Sequence, residues 1–177
     1  MTSFKDRILS AARLDARVYE EVEEDENAIS QAMTVVILSS LAAGVGSITK
    51  GGAIGVIAGT ITAIAGWFFW AYLTYLIGTK LLPQPQTRSN LGELLRTTGF
   101  SSAPGMIRVA GIIPGLTGVI FFIASVWMLV AMVISVRQAL DYTSTLRAVG
   151  VCIIGWIVQV IIMGILFLLL GHPLRML

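Results

Sequence analysis

The chain has little of what catalytic and metal sites are built from. Its 177 residues contain one cysteine, Cys152, and one histidine, His172. A lone cysteine cannot form an intrachain disulfide, and one residue of each type cannot supply a Cys- or His-rich metal site. A Ser-His-Asp triad would depend on His172, close to the end of the chain. We therefore expect no enzyme, no metal site and no cofactor.

Charge is also scarce. Only 12% of the residues are charged, whereas 56% are hydrophobic and the mean hydropathy is +0.86. A soluble domain carries about 25% charged residues, so this composition excludes an ordinary water-soluble globule, and it excludes disorder as well. The net charge of +2 is small, and aromatic and basic residues do not alternate. Nucleic acid is therefore not an expected partner.

Long apolar runs are abundant. They cover residues 28–48, 52–77, 103–136 and 148–170. A spanning helix needs about 20 such residues, and the runs lack the two-residue alternation of a membrane barrel. The sequence thus predicts an all-α, polytopic helical integral membrane protein. Residues 1–27 are charged throughout and lack the apolar core of a signal peptide, so they form a separate segment before the membrane domain of residues 28–177.

The third apolar run decides how many helices span. Its 34 residues would form a helix of about 50 Å, too long for one crossing. Pro114 and Gly115 lie where a turn would be needed. We predict a short helix over 102–113 and a full one over 116–136, which gives five transmembrane helices with a short third one. The alternative is one kinked helix and four spans.

Positive charge orients the chain, because cytoplasmic flanks collect Lys and Arg. With five spans and the N-terminus in the cytoplasm, only Lys50 and Arg175 lie outside. The inner segments then hold Lys5, Arg7, Arg13, Arg17, Lys80, Arg88, Arg96, Arg137 and Arg147. Four spans give a weaker bias of 8 against 3. We expect the N-terminus in the cytoplasm and the C-terminus on the far side.

Two segments outside the spans are predicted to form amphipathic helices at the membrane interface. Residues 3–25 are predicted as one helix, with Ser3 as its cap and Asp6 at the N3 position. Its apolar face follows helical spacing through Phe4, Ile8, Ala11, Leu14, Val18 and Val22. Residues 91–98 form the second helix, capped by Asn90 and Glu93 and ended by Gly99. Its small apolar face consists of Leu91, Leu94 and Leu95.

Small residues recur at every fourth position of the second span, at Gly51, Gly55, Gly59 and Ala63. This spacing places them on one helix face, where another backbone can approach closely in lipid. Such a glycine zipper predicts packing against a helix of the same chain or a homo-oligomer seam. A further alternative is that the glycines line a narrow pore.

An acidic run precedes the first span, with six acids in seven positions: Glu20, Glu21, Glu23, Glu24, Asp25 and Glu26. Such a run can form a surface for a basic partner or for cations. The simpler interpretation is a solvated helix end, since charge runs usually face water. In that case Arg13, Arg17, Arg88 or Arg96 would neutralise part of the charge.

Two polar residues fall inside apolar runs. Arg108 lies about 9 Å into the predicted third helix, where it is either functional or close enough to the cytoplasmic side to reach the headgroups. Gln159 falls near the centre of the last span, where a helix–helix hydrogen bond is favoured over a substrate contact.

The sequence resembles the Yip family (Ypt- and Rab-interacting membrane proteins), in its bacterial or archaeal branch. The resemblance rests on Leu14-Asp15 through Tyr19-Glu-Glu-Val-Glu23, Gln31-Ala32, the stretch 91–104, Pro114 and Arg137-Gln-Ala-Leu140. It implies five membrane helices with the N-terminus in the cytoplasm. Eukaryotic members also carry an Asp-Leu-Tyr-Gly-Pro motif, which this sequence lacks, so the resemblance carries over the architecture and no GTPase-binding residue.

These observations predict a non-enzymatic integral membrane protein that organises membrane or partner proteins. Its expected partners are the lipid bilayer and either further copies of itself or other membrane proteins. The alternative is a small oligomeric transporter or channel, which Arg108, Gln159 and the broken third run would support, since discontinuous helices build transport sites.

Overall fold

The structure, a computed structural model, describes residues 2–171, without the side chains at 49–51, 163, 166–167 and 169–171. These residues form seven α-helices and one 3₁₀ helix and include no strand. The helices are α1 (Phe4–Ala12), α2 (Ala16–Glu24), α3 (Ala28–Gly46), α4 (Ile48–Leu76), α5 (Leu91–Phe100), α6 (Thr117–Ala139) and α7 (Thr145–Gly171). The 3₁₀ helix is Ala103–Ile112, and a π-helical turn, Ile77–Leu81, continues α4. His172, Arg175 and the C-terminus lie outside the described residues.

Four helices are long and apolar enough to cross a bilayer: Ala28–Gly46, Gly52–Leu81, Thr117–Ala139 and Thr145–Ile162. They coincide with the four full spans predicted from hydropathy. The chain is therefore an all-α, multi-pass integral membrane protein.

The predicted short third helix is present, but as the 3₁₀ helix, which alone is too short to span. It continues the direction of α5, because Gly99 lies against Ala32, Gly105 against Ser39 and Gly111 against Gly46. α5 and the 3₁₀ helix together thus run parallel to α3 over most of its length. At a rise of about 1.5 Å per α residue and about 2.0 Å per 3₁₀ residue, the pair measures roughly 35 Å. We call this two-part rod the third pass.

The chain reverses direction after the third pass, in residues 113–116. Gly115 supplies the turn with φ +84°, a left-handed conformation that glycine adopts without strain. The 3₁₀ helix then runs antiparallel to α6, since Gly105 lies against Met128 and Gly111 against Phe121. A single kinked helix over 103–136 is therefore excluded.

The chain passes along the bundle five times, through α3, α4, the third pass, α6 and α7. α4 is antiparallel to α3, with Ser40 Oγ 3.2 Å from Thr60 Oγ1. α7 is antiparallel to α4, since Gly150 lies against Leu82, which follows the π-helical turn, and Gly155 lies against Trp70. We call the end where α3 begins the base and the opposite end, at Gly46, the far end.

The predicted helix over 3–25 is in fact two helices. Leu14 has φ 63°, and Asp15 then caps α2 by accepting a hydrogen bond from the Arg17 amide at 3.1 Å. An Asp side chain that bonds the following backbone favours such a break over a continuous helix. The resulting hairpin packs onto the bundle, where the Trp127 indole donates to the Ala12 carbonyl at 2.8 Å.

α5 has the predicted capping box between Asn90 and Glu93, but it ends at Phe100 rather than at Gly99. Gly99 lies inside the helix, where the absence of a side chain lets α5 approach Ala32 closely. Leu94 and Leu95, from the predicted apolar face, are buried inside the protein. The apolar side of α5 therefore packs against other helices and is not free to lie in lipid.

Candidate functional site

A cavity of about 540 Å³ lies inside the membrane bundle, bounded by α3, α4, the third pass, α6 and α7. Its wall contains a row of hydroxyl groups, from Ser39, Ser40, Ser47, Thr98 and Ser102. The opposite wall consists of small residues of α4, namely Gly55, Gly59, Ala63 and Gly66. We call this space the polar cavity.

The polar cavity unites two groups of residues that sequence reasoning treated separately. Gly55, Gly59 and Ala63 come from the predicted glycine zipper, and Arg108 and Gln159 are the two predicted intramembrane polar residues. Gly51, the fourth zipper position, falls among residues whose surroundings are not described. Periodicity can place the zipper residues on one helix face, but the pairing of that face with Arg108 depends on the tertiary fold.

The glycine face of α4 is open. A Cβ placed on Gly55 or Gly59 would have no neighbour within 4 Å, and only 6% of the apolar window of this helix is buried. The glycines that pack closely in the described part of the chain are elsewhere, for example Gly44 against Val56 and Gly99 against Ala32. Within the described residues, α4 therefore offers an uncovered face beside the polar cavity.

Arg108 lies at the far end of the bundle, where its carbonyl contacts Gly46. The expectation that it lies near the start of the third crossing is wrong, because α5 belongs to the same pass and precedes it. Its Cζ lies 5.6 Å from the centroid of the Phe121 ring, and its Nη2 is 3.5 Å from Ser125 Oγ. Its Nε is buried without a hydrogen-bond partner among the described residues.

Among the described residues, no carboxylate pairs with Arg108, and the ion pairs present involve Arg7 and Arg17. Apart from the acids at or before position 26, the sequence contains only Glu93 and Asp141, which lie at or near the base. Gln159 also lines the polar cavity, and its amide makes no hydrogen bond to any residue that the structure describes. The predicted helix–helix hydrogen bond of Gln159 is thus not among the observed contacts.

The acidic run divides into inward and outward residues. Glu21 and Asp25 pair with Arg7 at 2.9 and 2.8 Å, and Arg7 is only 2% exposed. The hydrogen bond from Arg7 is the main reason that the pKa of Asp25 lies below its ordinary value. Arg7 also donates to Gln31 Oε1 at 3.0 Å, which ties both hairpin helices to the start of α3.

The cation that neutralises this run was not among those expected from the sequence. Arg17 pairs with Asp15 instead, and Arg96 donates to the backbone carbonyls of Val22 and Glu23. The sequence does contain a signal that Arg7 faces the interior. Arg7 lies three residues after Phe4 and four before Ala11, so it shares their apolar helix face. A cation on an apolar helix face indicates a buried partner, because an unpaired buried charge is costly.

Three acids of the run are exposed: Glu20, Glu24 and Glu26. Glu20 accepts a hydrogen bond from the Gln138 amide at 2.6 Å. Glu23 is partly buried, and its burial, followed by the charges of Glu93 and Asp141, raises its pKa to about 8. The outward acidic surface thus contains fewer residues than the run itself.

Comparison with known proteins gives one match. The family model described as Yip1 domain matches residues 16–169, from the start of α2 to near the end of α7. No curated protein and no solved structure matches the chain. Because the family model covers most of the sequence, including all five passes along the bundle, the chain belongs to the Yip1 domain family.

Proposed function

We propose that this protein is a non-enzymatic integral membrane protein that organises membrane or partner proteins. The observation that supports the proposal is the uncovered state of α4, in which Gly55 and Gly59 have no packing partner within 4 Å. In lipid, a small-residue face of this kind is suited to close packing against another helix. The hairpin of α1 and α2 is fixed to the same bundle, so a partner on α4 would be held at a set position relative to the acidic surface.

The experiment is site-specific photocrosslinking in native membranes. A photoreactive residue at Thr62, which is exposed and lies three residues after Gly59 on the same face of α4, should crosslink to a second copy or to another membrane protein. The same residue at Ile161, 54% exposed on α7, is the matched control and should yield no defined product. Gly55→Leu should abolish the Thr62 product, because a branched side chain forces the two backbones apart.

Two results would contradict the proposal. One is the same crosslinking pattern at Thr62 and Ile161, which would indicate lipid contact at both helices. The other is a defined Thr62 product that Gly55→Leu leaves unchanged, because the glycine face would then not be the contact.

We also propose that the N-terminus is cytoplasmic and that the C-terminus lies on the non-cytoplasmic side of the membrane. Support comes from the five passes, for which positive charges count nine inside against two outside, or three with Arg108 at the far end. A reporter that replaces residues 1–3 should respond as cytoplasmic, and one fused after Leu177 should respond as external. Cytoplasmic signals from both reporters would exclude this orientation.

The outward acids support a further part of the proposal, a basic partner at the base. Replacing Glu20, Glu24 and Glu26 together by Gln should remove a salt-sensitive copurifying protein, because exposed charge pairs are screened by salt. Helix propensity changes little in this substitution. An unchanged set of copurifying proteins at low salt would leave these acids as a solvated surface.

A small oligomeric transporter or channel is the second candidate, and a specific observation favours it. Arg108 and Gln159 line one polar cavity beside the discontinuous third pass. Discontinuous helices supply substrate sites in many transporters. Solute and ion flux in proteoliposomes tests this candidate, and flux that Gln159→Leu and Arg108→Gln both abolish would favour it over the organising function.

A further inference from the structure

We propose that the polar cavity binds the phosphate group of a phospholipid, with Arg108 as its cationic ligand. The polar cavity shares Gly55 and Gly59 with the face that the proposed function assigns to a partner helix, but the inference concerns the ligand of Arg108 and does not depend on that partner. It rests on the charge of Arg108, the unused hydrogen-bonding groups around the cavity and the opening along α4.

Within residues 2–171, the charge at Arg108 has no carboxylate partner. The contacts present are the Phe121 ring at 5.6 Å and a 3.5 Å approach to Ser125 Oγ, and the latter is at the long limit of a hydrogen bond. Neither carries negative charge, and Nε has no partner among the described residues. A cation removed from water needs a negative partner to offset its desolvation. The planar guanidinium fork matches phosphate oxygens in geometry as well as in charge.

Other polar groups on the cavity wall have unused capacity. The hydroxyls of Ser39 and Ser102 and the amide of Gln159 make no side-chain hydrogen bond within the described part of the chain. By contrast, Ser40 and Ser47, on the same wall, already donate to the carbonyls of Ile37 and Ala43 at 2.8 Å. Ser39 is level with Gly105, one 3₁₀ turn from Arg108, so its hydroxyl can donate to an ester oxygen of the same lipid. Ser102 and Gln159 lie farther toward the base, in the part of the cavity beyond the headgroup.

The shape and the lining favour a lipid over a soluble anion. Exposed glycines of α4, Gly55, Gly59 and Gly66, form one wall, so the cavity is open beside the membrane-facing side of the bundle. Away from Arg108 the lining includes the large apolar side chains of Trp67, Trp70, Met128 and Met132, beside the hydroxyls of Thr98 and Ser102. A headgroup at Arg108 would place an acyl chain along the glycines toward this apolar part. A free phosphate would leave the apolar lining without a ligand.

The test uses the full chain, purified in mild detergent and depleted of lipid, with binding measured by thermal shift and by native mass spectrometry. Three ligands are compared: phosphatidylglycerol, diacylglycerol with the same chains, and inorganic phosphate. Arg108→Gln removes the charge, and Arg108→Lys keeps it without the fork. Arg88→Gln is the matched control, because Arg88 is exposed on the loop before α5.

A fourth variant keeps the test valid if Arg108→Gln does not fold. Gly66→Leu leaves Arg108 intact and fills the cavity, since a Cβ at Gly66 meets no atom within 4 Å. Wild type and Arg88→Gln should bind phosphatidylglycerol equally. Arg108→Gln and Gly66→Leu should weaken binding by about tenfold or more, and Arg108→Lys should fall between them and the wild type.

Several results would overturn the proposal. Equal affinity of Arg108→Gln and wild type for phosphatidylglycerol would exclude Arg108 as the ligand. Equal affinity of the wild type for diacylglycerol would exclude phosphate recognition. A full thermal shift from inorganic phosphate alone would assign the site to a soluble anion and exclude the lipid.

Discussion

The packing of the third pass against α3 makes Gly46→Ala a sensitive perturbation. α3 ends at Gly46, and a Cβ there would collide with the Arg108 carbonyl oxygen and lie 3.1 Å from the Phe121 ring. A flexible side chain could move aside, but a backbone carbonyl in a 3₁₀ helix cannot do so without displacing the helix. The substitution should therefore separate α3 from the third pass.

The expected loss follows from two opposing effects. Overpacking a close contact costs about 1–3 kcal/mol, and the backbone obstacle places Gly46→Ala toward the upper part of this range. Replacing helical glycine by alanine returns about 0.5–1 kcal/mol. The free energy of unfolding should thus fall by about 2 kcal/mol, which lowers Tm by roughly 4–8 °C for a chain of this size.

The matched control is Gly59→Ala, which has open space around its Cβ and should raise the free energy of unfolding by about 0.5–1 kcal/mol. Thermal unfolding of the detergent-solubilised variants, followed by tryptophan fluorescence, measures both the expected loss of stability in Gly46→Ala and the expected gain in Gly59→Ala. If Gly46→Ala were as stable as Gly59→Ala, the close approach of α3 and the third pass would be refuted.

Two further predictions concern the hairpin of α1 and α2. Arg7→Met should leave Glu21 and Asp25 without their cation and speed proteolysis at residues 13–15 by about tenfold or more, whereas Arg17→Met, whose side chain is 87% exposed, should not change the rate. The pKa of Glu23 is raised from 4.5 to about 8, so the folded state binds the extra proton. Its contribution to hairpin docking is therefore complete below pH 4.5 and is lost as pH rises through about 8, and Glu23→Gln should remove this dependence in hydrogen exchange.

The spanning helices and the caps could be predicted because their signals are local. Hydropathy located α3, α4, α6 and α7, and the capping box of Asn90 and Glu93 depends on residues three apart. The turn at Pro114 and Gly115 was likewise predicted, since proline and glycine act on their own backbone. In each case the relevant interaction joins residues within one or two helical turns.

The missed features depend on partners far apart in the chain. Arg7 was counted only among the cytoplasmic positive charges, yet it is buried because Glu21, Asp25 and Gln31 surround it. The break at Leu14 was hidden by an apolar stripe that continues across it. A helix stripe shows which residues face the core, but it does not show whether the axis bends between them.

The depth of Arg108 was misjudged because α5 was predicted as a separate interfacial helix, whereas it forms the first part of the third pass. The direction of the Arg108 side chain depends on the type of helix. A 3₁₀ helix has three residues per turn, so side chains three apart share one face. Ser102, Gly105, Arg108 and Gly111 follow this spacing. Gly105 and Gly111 contact α3 at Ser39 and Gly46, while Ser102 and Arg108 line the polar cavity between them. The remaining faces carry the exposed residues Ile107, Val109 and Ile112. The two glycines bring this face of the 3₁₀ helix close to α3. Because Arg108 follows the same spacing of three, it lies on this face and lines the cavity. The packing of the third pass and the position of Arg108, the one charged residue of the 3₁₀ helix, therefore have the same structural cause.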